Sequence, residues 1–158
     1  MRIASLALAL VVAASPLVSN AQQSVKADEQ IVIKQVQTDR RAILSANLGL
    51  TEEESRVFWP IYDQYEQDMK KITDQRLAML DQYAAKYDTL TDADADGLLK
   101  TRFKLDEQST AIKVKYAKKI QKALPSTKAL RYVQLQDRID NVIAGEMLSL
   151  IPMAQPAK

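Results

Sequence analysis

Three aspartates separated by single residues are the side chains whose type and spacing come nearest to a metal site. Asp92, Asp94 and Asp96 precede Gly97, which matches the first half of an EF-hand calcium loop. That loop needs a bidentate glutamate at its twelfth position, where this chain has Phe103. The same residues also fit the acidic first turn of a helix. We therefore assign no metal site and keep the three aspartates only as candidates for low-affinity divalent-ion binding.

The chain contains no histidine and no cysteine, which removes the side chains that most zinc, copper and haem sites use. Cysteine nucleophiles and histidine general bases are removed with them. Paired carboxylates are available, but a glycosidase needs a pocket around them, and long helical hairpins rarely form one. We therefore predict a protein that is not an enzyme and that carries no cofactor.

Four aromatic residues, Phe58, Trp59, Tyr62 and Tyr65, cluster around Pro60. One interpretation is an apolar surface that binds other proteins. The other is that helical spacing places Phe58, Tyr62 and Tyr65 on one stripe facing the core. Trp59 lies off that stripe, which makes it the best single candidate for an exposed contact.

The spacing of apolar residues predicts an all-α fold. Only 3 glycines occur in 158 residues, and no segment alternates apolar and polar residues as a half-buried strand does. A first helix ends at Gly49. A second begins at Thr51, which forms a capping-box pattern with Glu54. Its apolar positions recur at three- and four-residue steps as far as Tyr87, which is typical of coiled-coil-like packing.

Prolines and hydroxyl residues mark the remaining helix boundaries. Pro60 falls inside the second helix, where it removes a backbone hydrogen bond and predicts a bend. Thr91 repeats the capping pattern at the start of a third helix, which Pro125 ends. Ser126 is the predicted cap of a fourth helix that continues to Pro152.

The amino-terminal residues have the pattern of a secretory signal. Arg2 precedes an apolar stretch, and small residues stand where signal peptidase reads, so we expect cleavage between Ala21 and Gln22. The stretch is short for a membrane span, and we expect no stable membrane insertion. The expected divisions are a signal peptide, a flexible amino terminus, a helical domain and a flexible carboxyl-terminal tail, at residues 1–21, 22–29, 30–151 and 152–158.

The predicted second and third helices are about 36 and about 31 residues long, or roughly 54 and roughly 46 Å. A compact domain of the size left after export would be only about 37 Å across. We therefore predict an elongated four-helix hairpin, bent at Pro60, with the two long helices paired and the others flanking them. Because the flanking helices cover only part of that length, we also predict a homodimer.

Charge is distributed unevenly along the predicted helices. Residues 100–131 carry ten basic and two acidic side chains, whereas residues 51–68 carry six acidic side chains and one arginine. Nucleic acid is a poor partner for an exported chain whose formal net charge is only +2. We expect the acidic and basic arms to pair antiparallel, within one chain or across a dimer.

Two segments resemble the Spy and CpxP superfamily, periplasmic helical proteins of bacteria that are marked by repeated Leu-Thr-x-x-Gln motifs. The matching residues are Leu50 to Glu54 with Phe58, Trp59, Pro60, Ile61 and Tyr62, and Tyr116 to Lys119 with Leu124, Pro125 and Lys128 to Tyr132. The first motif ends in Glu54 in place of glutamine, and the second keeps only its leading Leu124. The resemblance covers residues 30–150 and is closest to uncharacterised members of the superfamily.

The resemblance implies a bent, cradle-shaped helical hairpin dimer that acts in the periplasm as an ATP-independent chaperone or as an envelope-stress accessory. Relatives that sense or buffer metals rely on histidine, so their metal binding is not carried over to this chain. We therefore expect a periplasmic protein that binds proteins through helical surface. Two functions stay open: a chaperone for many unfolded clients, and a dedicated adaptor or inhibitor of one envelope protein. Divalent-ion binding is a third hypothesis.

Overall fold

The structure is a computed structural model that describes residues 39–155. These residues are mostly helical and include no strand, which confirms the predicted all-α class. The first helix, α1, is described over residues 39–48. Three more helices follow, and their bounds are Glu52–Lys86 for α2, Asp92–Ala123 for α3 and Ser126–Leu150 for α4.

Several sequence predictions lie outside the described residues. They are the signal peptide, the cleavage point between Ala21 and Gln22, the polar segment 22–29 and the end of the tail after residue 155. Helices α2, α3 and α4 all belong to one compact unit, Ala42–Lys158.

Both predicted capping boxes are present. The Thr51 hydroxyl accepts a hydrogen bond from the amide of Glu54 at 3.2 Å, and the Glu54 carboxylate accepts one from the amide of Thr51 at 2.7 Å. Thr91 and Asp94 form the equivalent pair of bonds at the start of α3. Gly49 has φ +58°, which glycine adopts without a Cβ clash, so α1 ends where the sequence predicted.

The two prolines in the middle of the chain have different effects. Pro60 lies within α2, which continues through it although the missing N–H removes the bond to the carbonyl of Arg56. The bend expected there stays a prediction. Pro125 follows α3, whose last residue is Ala123, as predicted.

The predicted cap of α4 by Ser126 is wrong. Ser126 is the first residue of α4, Pro125 precedes it, and no side chain caps this helix end. The carbonyl of Pro125 accepts hydrogen bonds from the amides of Lys128 at 2.9 Å and Ala129 at 3.0 Å, so the backbone alone closes the first turn. Proline suits the position before a helix because its fixed φ, here −53°, is close to the helical value. Ser126 is already the first helical residue, so its hydroxyl is not at the position from which a side chain caps the first amides.

Helices α2 and α3 pack antiparallel. Three ion pairs join them, Asp68 with Lys115 at 3.1 Å, Arg76 with Asp106 at 2.7 Å, and Lys86 with Asp94. Partners that lie later in α2 lie earlier in α3, so the two helices run in opposite directions from their connection at residues 87–91. Helix α4 packs against α3, and Lys113 pairs with Asp140 at 2.5 Å.

Burial is concentrated at the end of the hairpin away from this connection. The buried cluster there consists of Leu44, Leu48, Phe58, Tyr62, Tyr65, Tyr116, Ile120, Leu124, Ala129 and Tyr132. Its five aromatic rings are called the aromatic core below. Past Ile72 in α2, no residue of 73–104 is buried, and no described side chain of 137–155 is buried either. These two ranges together are called the turn end.

Candidate protein-binding surface

The aromatic core is a set of rings in mutual contact. Phe58 stacks on Tyr62 with ring centroids 5.8 Å apart and an interplanar angle of 16°, and it meets Tyr132 edge to face at 5.7 Å. Tyr65 meets Tyr116 at 5.8 Å. Such pairs add about 0.5–1.5 kcal/mol each beyond the area they bury. Phe58, Tyr62 and Tyr65, three of the four aromatic binding candidates, are therefore interior residues in this structure.

Trp59 lies at the edge of the aromatic core. Its ring meets Phe58 at 4.9 Å and Tyr62 at 5.7 Å, in both cases edge to face. The side chain is half-buried, so part of the indole covers the core and part faces solvent. Trp59, which the sequence made the best candidate for an exposed contact, is thus only partly exposed.

Charged side chains line the packed half of the hairpin. The Tyr116 hydroxyl donates to the carboxylate of Asp68 at 2.8 Å, and Lys115 contacts the same carboxylate. These two donors hold the pKa of Asp68 below its ordinary value, Tyr116 having the larger effect. The ammonium groups of Lys115 and Lys119 both lie within 5 Å of the Tyr116 ring, at 4.8 and 4.7 Å from its centroid. Part of the predicted pairing between the acidic and basic arms is thus made within one chain.

Lys128 joins the starts of α2 and α4. Its ammonium group donates to the carbonyl of Gly49 at 2.8 Å and to the Glu54 carboxylate at 2.5 Å. The bond from Lys128 and the amide of Thr51 lower the pKa of Glu54. Glu54 therefore caps α2 and binds α4 with the same carboxylate.

The three aspartates Asp92, Asp94 and Asp96 have different surroundings. Asp94 accepts hydrogen bonds from Lys86 and from Thr91, and these lower its pKa to about 2. Asp92, in the first turn of α3, and Asp96, in the second, are exposed. No group of three acidic, histidine or cysteine side chains in residues 39–155 is arranged to hold a metal ion. The geometry of Asp94 is that of a helix cap with an ion pair.

A polar network separates the aromatic core from the turn end. Asp106 accepts hydrogen bonds from Arg76 and from Arg102, both at 2.7 Å. Arg76 fills a position of the α2 seam at which neighbouring turns carry apolar residues. Arg76 thus places a charged, ion-paired group between α2 and α3 at a position where neighbouring turns of α2 carry apolar side chains.

The turn end exposes apolar side chains. Six of the ten large apolar residues that are exposed in the described chain lie there, namely Leu99, Phe103, Val142, Met147, Leu148 and Met153. Phe103 has 65% of its surface exposed and Leu99 has 50%. The two residues are one turn apart on α3 and thus on one face. Sequence reasoning did not single them out as binding residues, although Phe103 lies off the stripe through Leu98 and Leu105 and helical spacing alone places it outside.

A shallow cleft lies between α3 and α4 beside the aromatic core. Its volume is about 200 Å³, and its lining residues are Tyr65, Lys113, Val114, Ala117, Tyr132, Val133, Gln136 and Asp137. The amide of Gln136 is buried and donates to the Tyr132 hydroxyl at 3.2 Å, which leaves the cleft floor with few groups to bind a polar ligand. The cleft holds no arrangement of nucleophile and base.

None of the helices in the described part of the chain is both long and apolar enough to cross a bilayer. Comparison with protein-family models, with curated proteins and with solved structures finds no match. The function must therefore be argued from the chain itself, and the exposed apolar residues of the turn end are the part of it that most resembles a binding surface.

Proposed function

We propose that this protein is a periplasmic, ATP-independent chaperone-like or envelope-stress protein that binds other proteins through helical surface. The observation that carries the proposal is the exposed pair Leu99 and Phe103 on α3, in the turn end, where none of the described side chains is buried. Burying exposed apolar area of a helix against another apolar surface lowers the free energy by about 25 cal/mol per Å².

The charged residues around Leu99 and Phe103 indicate which client segments would bind there. Lys100 and Lys104 are exposed beside Leu99 and Phe103, and Arg102 lies between them. An apolar pair among cations favours client segments in which apolar residues are accompanied by acidic ones, because the cations attract and orient the acidic groups. Segments of this kind are widespread in unfolded chains, which supports many clients over one.

The compartment and the independence from nucleotide are supported by the sequence. A secretory signal and the resemblance to the Spy and CpxP superfamily both favour the periplasm. The three glycines, at positions 49, 97 and 145, are too far apart to form a phosphate-binding loop. A nucleotide-independent binding mode is consistent with such a chain.

The test is suppression of aggregation. Several unrelated unfolding proteins are mixed with the mature protein at near-stoichiometric ratios without nucleotide, and light scattering is followed. We expect the wild type to suppress scattering for most of them. The variant Leu99→Ser/Phe103→Ser should need about tenfold more protein for the same effect, since two exposed apolar contacts of about 0.7 kcal/mol each are lost.

The matched control is Val57→Ser/Val114→Ser. Both valines are exposed to a similar degree, 46% and 47%, but lie outside the turn end. The control should suppress aggregation as the wild type does. Equal loss in both double variants would mean that the turn end is not the binding surface. If the wild type protects no client and binds one envelope protein with a defined stoichiometry, the adaptor hypothesis replaces the chaperone.

A further inference from the structure

The segment that follows α4 is extended and held against α2. Pro152 has no N–H and disfavours a helical conformation at the residue before it, so α4 ends at Leu150. Ile151 has φ −99° and ψ 114°, which is extended backbone. Ile151 is half-buried, whereas Met153 has 87% of its surface exposed.

Two tyrosines at the end of α2 hold this segment through its backbone, Tyr83 within α2 and Tyr87 in the short 3-10 helix Tyr87–Thr89 that follows it. The Tyr83 hydroxyl donates to the carbonyl of Pro152 at 2.8 Å, and the Tyr87 hydroxyl donates to the carbonyl of Met153 at 3.2 Å. Tyr83 lies in the last turn of α2, and Tyr87 begins the short 3-10 helix after it. They therefore present two donors in a row, and an extended chain lying along α2 offers successive carbonyls to them.

The tyrosine pair is itself ordered by contact. The two rings meet edge to face with centroids 5.7 Å apart, and both side chains are half-buried. Burial and the neighbouring Tyr87 raise the pKa of Tyr83, so its hydroxyl keeps the proton that it donates. Because these two bonds go to main-chain carbonyls, the hydroxyls do not select particular side chains, and the half-buried Ile151 supplies the apolar side-chain contact.

We propose that Tyr83 and Tyr87 form a binding site for an extended apolar segment of a client protein, and that residues Ile151–Met153 of the chain itself occupy this site until a client displaces them. The occupant is a stretch without helix or strand hydrogen bonds of its own, whose free carbonyls accept from the two hydroxyls. An unfolded client supplies many such stretches, whereas a folded protein pairs most of its backbone groups within its own structure.

The chain's own segment is a weak but always present competitor. It is tethered to α4, so its effective concentration at the tyrosines is in the range of about 1 mM. A client segment must displace residues Ile151–Met153 to bind. The site is therefore restricted to clients that are present at high local concentration or that make additional contacts, such as those at Leu99 and Phe103. The inference rests on the proposed function in that clients are unfolded proteins, but the site can be tested with a peptide alone.

The probe is a fluorescein-labelled peptide with the sequence of residues 149–155, titrated against the full mature chain and followed by anisotropy. Ile151→Ser weakens the half-buried anchor of the chain's own segment, and we expect it to bind the probe about tenfold more tightly than the wild type. Adding Tyr83→Phe/Tyr87→Phe to Ile151→Ser should weaken probe binding about tenfold and so cancel that gain, because the rings stay and only the two donors are lost. Leu130→Ser, at an exposed position of α4 distant from Ile151 in sequence, should bind the probe as the wild type does.

Tighter probe binding in Ile151→Ser that depends on the two hydroxyls supports the site. Equal probe binding in all four proteins, or binding in none, overturns it. If Ile151→Ser loses its helical spectrum, Ile151→Ala carries the same comparison. A wild type that protects clients, together with an Ile151→Ser variant that gains no probe affinity, rejects the tyrosine site and keeps the proposed function. Hydroxyl-dependent probe binding without protection of any client keeps the site and rejects the proposed function.

Discussion

The aromatic core and the turn end each contain one of the chain's 2 phenylalanines, and the two rings lie in opposite environments. Phe58 is fully buried and contacts three other aromatic rings, whereas Phe103 has 65% of its surface exposed. The difference follows from position on the helix surface, since Phe58 lies on the apolar stripe of α2 and Phe103 lies off that of α3. The same side chain therefore stabilises the fold at one end and is available for binding at the other.

The two regions also differ in what joins the helices. In the aromatic core, apolar rings from α2, α3 and α4 pack together, and the ion pairs lie outside them. In the turn end, where apolar side chains are at most half-buried, the Lys86–Asp94 pair and the tyrosine bonds to the last segment join the elements, and the Arg76–Asp106 pair lies at its border. Exposed ion pairs contribute little, typically below about 1 kcal/mol each. We therefore expect the turn end to open at lower free energy than the aromatic core.

The largest effect should come from exchanging the two phenylalanines for alanine. Phe58→Ala leaves a cavity in the aromatic core and should lower the free energy of unfolding by about 3–5 kcal/mol, whereas Phe103→Ala should change it by less than about 0.5 kcal/mol. Urea unfolding followed by circular dichroism at 222 nm measures both. A loss of several kcal/mol in Phe103→Ala would mean that its ring is buried in solution, by a second copy of the chain or otherwise.

An intermediate effect is expected at Pro60, next to the aromatic core. Pro60→Ala restores the N–H that can bond to the carbonyl of Arg56 and should raise the free energy of unfolding by about 1–3 kcal/mol. If the bend predicted at Pro60 is needed for binding, client protection should fall while stability rises. A variant that loses stability would show instead that the aromatic core requires the geometry that Pro60 imposes.

A smaller effect distinguishes the two capping boxes. Thr51→Ala should destabilise the whole fold by about 1 kcal/mol, since Glu54 also binds Lys128 and the start of α2 adjoins the core. Thr91→Ala removes the same kind of bond at the turn end and should mainly increase hydrogen exchange in the first turn of α3. Native-state hydrogen exchange on both variants is the measurement. Equal global destabilisation would mean that the turn end is as cooperative as the core.

The smallest effect concerns the stability of the turn end at acidic pH. The pKa of Asp94 is lowered to about 2, so its contribution to stability is complete above the ordinary carboxyl range and is lost as pH falls from about 4 toward 2. We expect the urea midpoint of the wild type to fall more over this interval than that of Asp94→Asn, which does not titrate. Lys86→Met should move the loss to higher pH, because Lys86 is the first cause of the shift. Parallel curves for wild type and Asp94→Asn would contradict the pairing.

The sequence predicted the parts of this structure that depend on local pattern. The capping boxes at Thr51 and Thr91, the end of α1 at Gly49 and the end of α3 before Pro125 follow from neighbouring residues, and all are present. The cap at Ser126 failed because proline can open a helix without a side-chain cap, and the local pattern does not distinguish the two starts.

Contacts between distant residues were beyond such patterns. The bond of Lys128 to Glu54 and those of Tyr83 and Tyr87 to Pro152 and Met153 join residues more than 60 positions apart. They depend on how far α4 runs along the hairpin and in what register, and periodicity within one helix does not determine either. The outward position of Leu99 and Phe103 on α3 was visible in the spacing, but the spacing did not show that no part of residues 39–155 covers them.

The position of Trp59, the chain's single tryptophan, determines what a spectroscopist will see. Its indole contacts Phe58 and Tyr62, so tryptophan emission reports on the aromatic core and is silent about the turn end. Circular dichroism, by contrast, sums over all helices. If the turn end frays first, the ellipticity will decline before the emission changes, and a single transition fitted to either signal will not describe the protein. An emission-only assay would then report a cooperative molecule while the turn end has already come apart.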